Sequence, residues 1–333
     1  MAFITEIGLD LGMGGAKEFC NSVGIQIISQ VAIKNGFSIG RMEGLSNSKQ
    51  PLIITLSSLR EFFVGYGAHD YGSPMENMSL DRFNKITPEL MVIIYGAFTR
   101  LIQQVGEINS PTCIICGLPV ETLSGDNTRA TVENLKKWLK ADHVWKGDDK
   151  EYHLSVEEVK ITSQPAGAFF DFMLDMEGNV IPERTGTISK EIGIISIGMN
   201  TLELLVLREK NIVQRFTSGS ITGVRRLLEL VNDQRLYSLG ELDNLLRSNR
   251  LDVTQILPLW EREIIGEIEK CWGKSWHRFS GVILVGGGAV LLKNTLPYFF
   301  NGKAIIPDDP VMAIARGLWK LGVYQSLSKK GKN

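Results

Sequence analysis

Residues 7–19 read IGLDLGMGGAKEF, and residues 193–204 read GIISIGMNTLEL. Placing Gly12 on Gly198 sets Met13 on Met199, with Gly14 falling on Asn200. Each copy is an apolar strand, a turn of glycine or asparagine and a second strand, which is the pattern of a β-hairpin. Such self-similarity is read before any single motif, because it points to a duplicated architecture. Length agrees, since 333 residues at roughly 150 per domain suggest two lobes.

The sequence around each hairpin extends the parallel. After the first, residues 24–28 (GIQII) read as a strand, and Pro88 to Val105 as an apolar helix with Thr87 as cap. After the second, residues 211–216 (NIVQRF) read as another strand. A helical pattern then runs from Ile221 through Val224, Leu227, Leu228 and Val231 to an end near Asn232. The clearest break between the halves is the turn-like MEGN at 176–179, so the second half begins near residue 180. A third glycine-rich turn lies in 281–292, GVILVGGGAVLL, a buried strand running into GGGA and a helix. The stripes at Leu239–Leu246 and Leu257–Ile268, and the six tryptophans, read as core-facing positions.

Composition excludes several classes. With 44% hydrophobic and 22% charged residues the chain can bury large cores and is not a disordered polymer. The 36 Lys and Arg balance 37 Asp and Glu for a net charge of −1, so no general positive field draws it to nucleic acid or an anionic membrane. Its longest apolar runs, such as Val282–Val285 and Ile192–Ile197, fall far short of the ~20 residues that span a bilayer. The first ten residues, with Glu6 and Asp10, do not read as a signal peptide, and the compartment expected is the cytoplasm. Four cysteines make no disulfide scaffold, and Cys113 and Cys116 lie on one apparent strand, where positions three apart face opposite sides. The four histidines show no metal-ligand spacing.

Glycine-rich turns let backbone N–H groups converge on an anion. The first turn lacks the Walker spacing, and Ala16–Cys20 continues as strand where a Rossmann fingerprint would open a helix, so both familiar mononucleotide folds are disfavoured. The GGGA turn admits a flat or anionic group against a helix N-terminus.

Taken together, these residues resemble the actin-like ATPases of the actin, Hsp70 and sugar-kinase superfold, in particular the ParM-like plasmid-segregation branch. The first phosphate motif of that family is similar to Asp10–Lys17, the second to Ser196–Glu203, the adenosine motif to Leu284–Ala289 and the closing hinge helix to Asp309–Leu318. Residues 63–68 (FVGYGA) and 115–119 (ICGLP) also fit the ParM-like branch. The resemblance runs from residue 7 to about 322 and implies an α/β, ribonuclease H-like duplicated, two-lobe actin-like fold with nucleotide in the interlobe cleft. Lobe I would be 1–165 with a small subdomain near 35–85, completed by a helix at 310–325. Lobe II would be 166–309 with a small subdomain near 220–275, and 326–333 would be a solvated basic tail.

The resemblance also implies roles. Asp10 would order the waters of Mg²⁺, and Lys17 would reach a β- or γ-phosphate. Gln164, opening an interlobe helix with Pro165 at its first position, would orient the attacking water rather than act as a base. Gly12, Met13, Gly14 and Gly15, with Gly198, Met199, Asn200 and Thr201, would contact the phosphates of ATP or ADP, with GTP as an alternative. Gly286, Gly287, Gly288 and Ala289 would take the nucleoside, with Gly219 and residues 222–232 bordering it. Ser196 departs from the family, which has aspartate there, and Glu203 keeps a negative charge where aspartate is common. Slow hydrolysis follows. The function expected is a nucleotide-dependent filament for plasmid segregation or another bacterial or archaeal cytoskeletal role, whose main partner is itself and which reaches DNA through an adaptor without touching DNA or membrane. A non-polymerising scaffold and a small-molecule kinase of the same superfold are the alternatives.

Overall fold

Long runs of β-branched and leucine residues broken by glycine turns build two sheets in the computed structural model, which describes residues 5–35, 50–56, 60–75, 81–125, 128–187 and 189–330. The first half supplies strands β1 (Thr5–Gly12), β2 (Gly15–Cys20), β3 (Val23–Ile28), β4 (Val31–Ile33), β5 (Leu52–Thr55), β6 (Glu61–Val64), β7 (Ser73–Met75), β8 (Thr112–Leu118), β9 (Asp142–Gly147) and β10 (Lys150–Ser163). Its helices are α1 (Asp81–Lys85), α2 (Pro88–Val105), α3 (Thr128–Leu139) and α4 (Gln164–Met173). The second half supplies β11 (Glu191–Ile197), β12 (Leu202–Arg208), β13 (Asn211–Ile212), β14 (Ser218–Ser220), β15 (Gly281–Val285) and β16 (Ala304–Ile305). With them come α5 (Val224–Val231), α6 (Leu239–Arg247), α7 (Leu257–Trp272), α8 (Gly287–Leu291), α9 (Leu296–Phe299) and α10 (Ala313–Lys330).

The repeat seen in the sequence is a repeat of topology. In the first sheet the order is β3-β2-β1-β8-β10-β9-β5-β6-β4-β7, and in the second β13-β12-β11-β15-β16 with β14 also on β12. The segments β3-β2-β1-β8-β10 and β13-β12-β11-β15-β16 share one pattern, two antiparallel pairings followed by two parallel ones. Both hairpins therefore deliver their turns to the same end of equivalent strands.

Each sheet has its own core, and a third lies between them. Cys116 belongs to the core of the first sheet and α2, whereas Cys113 joins Ile115, Phe169, Ile194, Leu205 and Leu318 in the core between the sheets. The two thiols thus face opposite ways, and burial pushes both thiol pKa values up.

Helices α4 and α10 join the halves. At their crossing a side chain on Gly317 would sit 1.8 Å from the Gly167 carbonyl, and one on Gly8 of β1 would meet the Ala315 carbonyl at 2.1 Å. Next to the crossing the buried carboxylate of Asp171 accepts Nε and Nη2 of Arg316 at 2.7 and 2.6 Å, one on each oxygen, with Lys320 Nζ 2.9 Å away.

Three expectations are corrected. Only Asn211–Ile212 of the 211–216 segment is strand, because Phe216 turns inward and its carbonyl accepts Trp272 Nε1 at 2.9 Å. The basic tail begins later than expected, since α10 continues to Lys330 with Ser328 bonded to the Tyr324 carbonyl, and 331–333 fall outside the described residues. Of the region near 35–85, residues 36–49, 57–59 and 76–80 are likewise outside them. Gln164 rather than Pro165 is the first helical residue of α4. No described helix is long and apolar enough to cross a membrane.

The crossing makes a prediction in which two effects oppose. Alanine favours a helix interior over glycine by up to ~1 kcal/mol, but at 317 its methyl meets backbone, and overpacking costs about 1–3 kcal/mol. Gly317→Ala is expected to lower the urea-unfolding free energy, and a gain would contradict the tight crossing.

Candidate functional site

Between the two hairpin turns lies a cavity of about 290 Å³. The first turn is Met13–Gly14, closed by the pair Gly12 and Gly15, and the second is closed by the Gly198 N–H on the Thr201 carbonyl at 2.8 Å. The tips touch, since a side chain on Gly14 would lie 2.6 Å from Met199 Cβ.

Carbonyls of both turns are engaged by neighbouring segments. Gly12 O accepts Arg82 Nη2 at 3.1 Å and Ser29 Oγ at 3.4 Å, and Gly14 O accepts the Ser29 N–H at 3.3 Å. In the second turn the carbonyls of Gly198, Met199 and Asn200 accept the N–H groups of Val224, Arg225 and Gly223 at 3.0, 2.7 and 3.3 Å. With their carbonyls engaged, the turns have N–H groups left to offer the cavity, which suits an anion.

Asp10 stands at the floor on the end of β1, 1% exposed. One oxygen accepts Lys17 Nζ at 2.8 Å and the other accepts Gln164 Nε2 at 2.7 Å. Lys17 is opposite Asp10 in the β1–β2 ladder, and Gln164 opens α4 immediately after β10, so the hairpin register and the start of that helix fix the trio. Among the described residues no group of three or more His, Cys, Asp or Glu forms a metal cage. Asp10 is the carboxylate that could hold a hydrated Mg²⁺ ion here, since such an ion keeps several waters and needs few protein ligands.

Ser196 and Glu203 are opposite one another on β11 and β12, on the side facing the first half. Glu203 is 1% exposed. Its Oε1 accepts the Val120 N–H from the first half at 2.6 Å, while its Oε2 has no partner among the described residues. Burial first, then Glu121 and Asp10 nearby, hold its pKa well above the usual carboxylate range, against the opposing Val120 bond. The negative charge expected at Glu203 is thus disfavoured by its surroundings.

The structure brings Asp10, Lys17, Gln164, Ser196, both turns, Gly286 and Gly287 to this one cavity. Gly286 adopts φ 91°, where a side chain would also strike the Ile197 carbonyl at 2.4 Å. Gly288 and Ala289 do not line the cavity, because they pack behind it, Gly288 against Ile197 and Trp260. Nor does Gly219, which lies against Glu121, and of residues 222–232 only Val224 reaches it. The wall expected from that helix comes instead from α6 and α8, with Asp243, Leu246, Arg247, Val290 and Leu291. Sequence reading had assigned the α6 stripe to the core. The signal available was the acid–base pair at i,i+4, in which Arg247 Nε bonds both Asp243 oxygens at 2.9 and 2.8 Å.

Residues 8–167 match the family model for the N-terminal domain of actin-like proteins. The apo psk41 ParM protein is similar over 99% of both chains at 18% identity with a TM-score of 0.72. The 15-stranded ParM filament from Clostridium botulinum matches at 0.72 and 19% identity, over 96% of this chain and 99% of that one. Ta0583, an archaeal actin homolog in complex with ADP, matches at 0.69 and 17%, again over 96% and 99%. No curated protein matches this chain in sequence.

The raised pKa of Glu203 has a stability consequence. With a folded pKa above the ordinary 4.5, its contribution is fully present below the unfolded pKa and is lost as pH rises through the folded one. Glu203→Gln keeps the acceptor for Val120 and removes the proton. Urea unfolding at pH 5 and pH 8 should show the variant gaining on the wild type at pH 8 by on the order of 1 kcal/mol. An unchanged difference would mean that the carboxyl is ionised in place.

Proposed function

Because residues 8–167 are an actin-like N-terminal domain and the whole chain takes the actin-like fold of the ParM relatives, we propose that it binds ATP between its two turns and polymerises with it. The observation that carries this reading is the pair of facing turns, their carbonyls engaged elsewhere, over the Asp10–Lys17–Gln164 trio. The N–H groups of the turns around Gly12–Gly15 and Gly198–Thr201 would hold the phosphates. Lys17 would exchange Asp10 for phosphate, freeing the carboxylate to hold hydrated Mg²⁺, which neutralises charge on the phosphates when bound. Gln164 then orients water, since an amide can donate and accept but cannot take a proton at neutral pH. Gly286, Gly287, Leu246, Val290 and Leu291 would flank the nucleoside, with Gly288 and Ala289 bracing them from behind.

Ser196 supplies no charge where the family pattern has aspartate, and burial raises the pKa of Glu203 beside it, so hydrolysis is slow in this account. The ParM from Clostridium botulinum forms a filament, and the same head-to-tail addition is the reading here, because a heterologous contact that does not close makes an open helix. DNA would be reached through an adaptor, in keeping with the net charge of −1, in a cytoplasmic filament system. The division into lobe I (1–165 with 310–325) and lobe II (166–309) is proposed on the same basis, with α4 and α10 as the joint. The uncharged Ser196 also favours a second reading, a nucleotide-binding scaffold that does not turn over.

Light scattering with ATP, ADP and no nucleotide, followed by negative-stain imaging, tests the proposal: filaments are expected with nucleotide, and none under any condition favours the scaffold. Gln164→Ala should slow phosphate release by about 10²-fold while filaments still form with ATP. Release at the wild-type rate would remove Gln164 from the chemistry.

A further inference from the structure

Arg82 is buried beneath the first turn at 2% exposure, on the short helix α1, and does not line the cavity. Its Nη2 donates to the Gly12 carbonyl at 3.1 Å, and its Nε has no acceptor among the described residues. Taking a guanidinium out of water is costly; burial draws its pKa down to about 10, with the buried carboxylate of Glu89 opposing. Its guanidinium carbon lies 5.0 Å from the centre of the Phe83 ring. The helix is tied to α3 from the other side, where Asn134 Nδ2 donates to the Asn84 carbonyl at 3.2 Å.

The bond to Gly12 has a directional effect. In a trans peptide the C=O and the following N–H point in opposite directions. With the Gly12 carbonyl drawn down onto Arg82, the Met13 N–H points up, toward the cavity. A positive charge also sits behind the turn, where water cannot screen it. Lys17, by contrast, is already paired with Asp10, and Arg247 with Asp243.

We propose that Arg82 is a positioning residue for the phosphate tail, orienting the first turn and adding a buried positive charge behind it. The inference rests on the nucleotide reading above and concerns the phosphates alone, so it separates ligands that carry them from one that does not. ATP and adenosine are titrated calorimetrically into the full chain and into Arg82→Met, with circular dichroism as the check on folding. The variant is expected to lose ATP affinity on the order of tenfold and to keep adenosine affinity within about twofold. Arg82→Lys, which keeps a charge, should recover part of the ATP-to-adenosine ratio. If Arg82→Met does not fold, Arg82→Gln, with a donor but no charge, carries the same comparison. Equal losses for both ligands, or no loss for ATP, overturn the proposal; a wild type that binds neither ligand overturns the nucleotide reading itself.

Discussion

Gly167 and Gly317 lie where α4 and α10 cross, and without side chains the two helix backbones come into direct contact, with Gly8 of β1 against α10 as well. Helix α10 packs on β1, β2 and β8 of the first sheet, and α4 on strands of both. A contact with no side-chain layer fixes the helix separation, so it sets how the two hairpin turns face each other across the cleft. The Asp171 carboxylate, held by Arg316 and Lys320, keeps this joint from sliding apart, because separating the partners would leave a buried charge uncompensated.

From that joint the site follows by register. Gln164 is the first residue of α4, so the helix that joins the lobes also carries the amide that meets Asp10. Lys17 faces Asp10 because a turn of two residues forces that pairing. On the opposite wall Glu203 reaches across to the Val120 N–H, a second bond between the halves just beside the first turn's strand. A movement about the helix crossing would therefore be felt at the carboxylate, the amide and both turns together.

Much of this was legible in the sequence, for physical reasons. The hairpins were readable because strand periodicity and glycine turns are local properties, and the repeat made each copy support the other. The opposed thiols of Cys113 and Cys116 needed only the two-residue period of a strand. What stayed hidden depended on contacts between distant segments. The local hint in 239–247 that α6 faces the cleft is the Asp243–Arg247 pair alone, and its leucines suited a core equally well. The raised pKa of Glu203 comes from burial between two lobes, which no neighbour in sequence reports. Gly288 and Gly287 look alike in a GGG run, yet one packs on Ile197 and the other meets open space. Phe216 ended its expected strand because Trp272, 56 residues away, takes its carbonyl.

The central claim is that two turns from two sheets hold one phosphate tail between them. Hydrogen–deuterium exchange of the full chain with and without Mg-ATP tests it most directly, because the proposed ligands are backbone N–H groups. The account predicts that ATP slows exchange in 12–16 and 198–202 together. Protection in only one of the two segments, or in neither while ATP is bound, would contradict it.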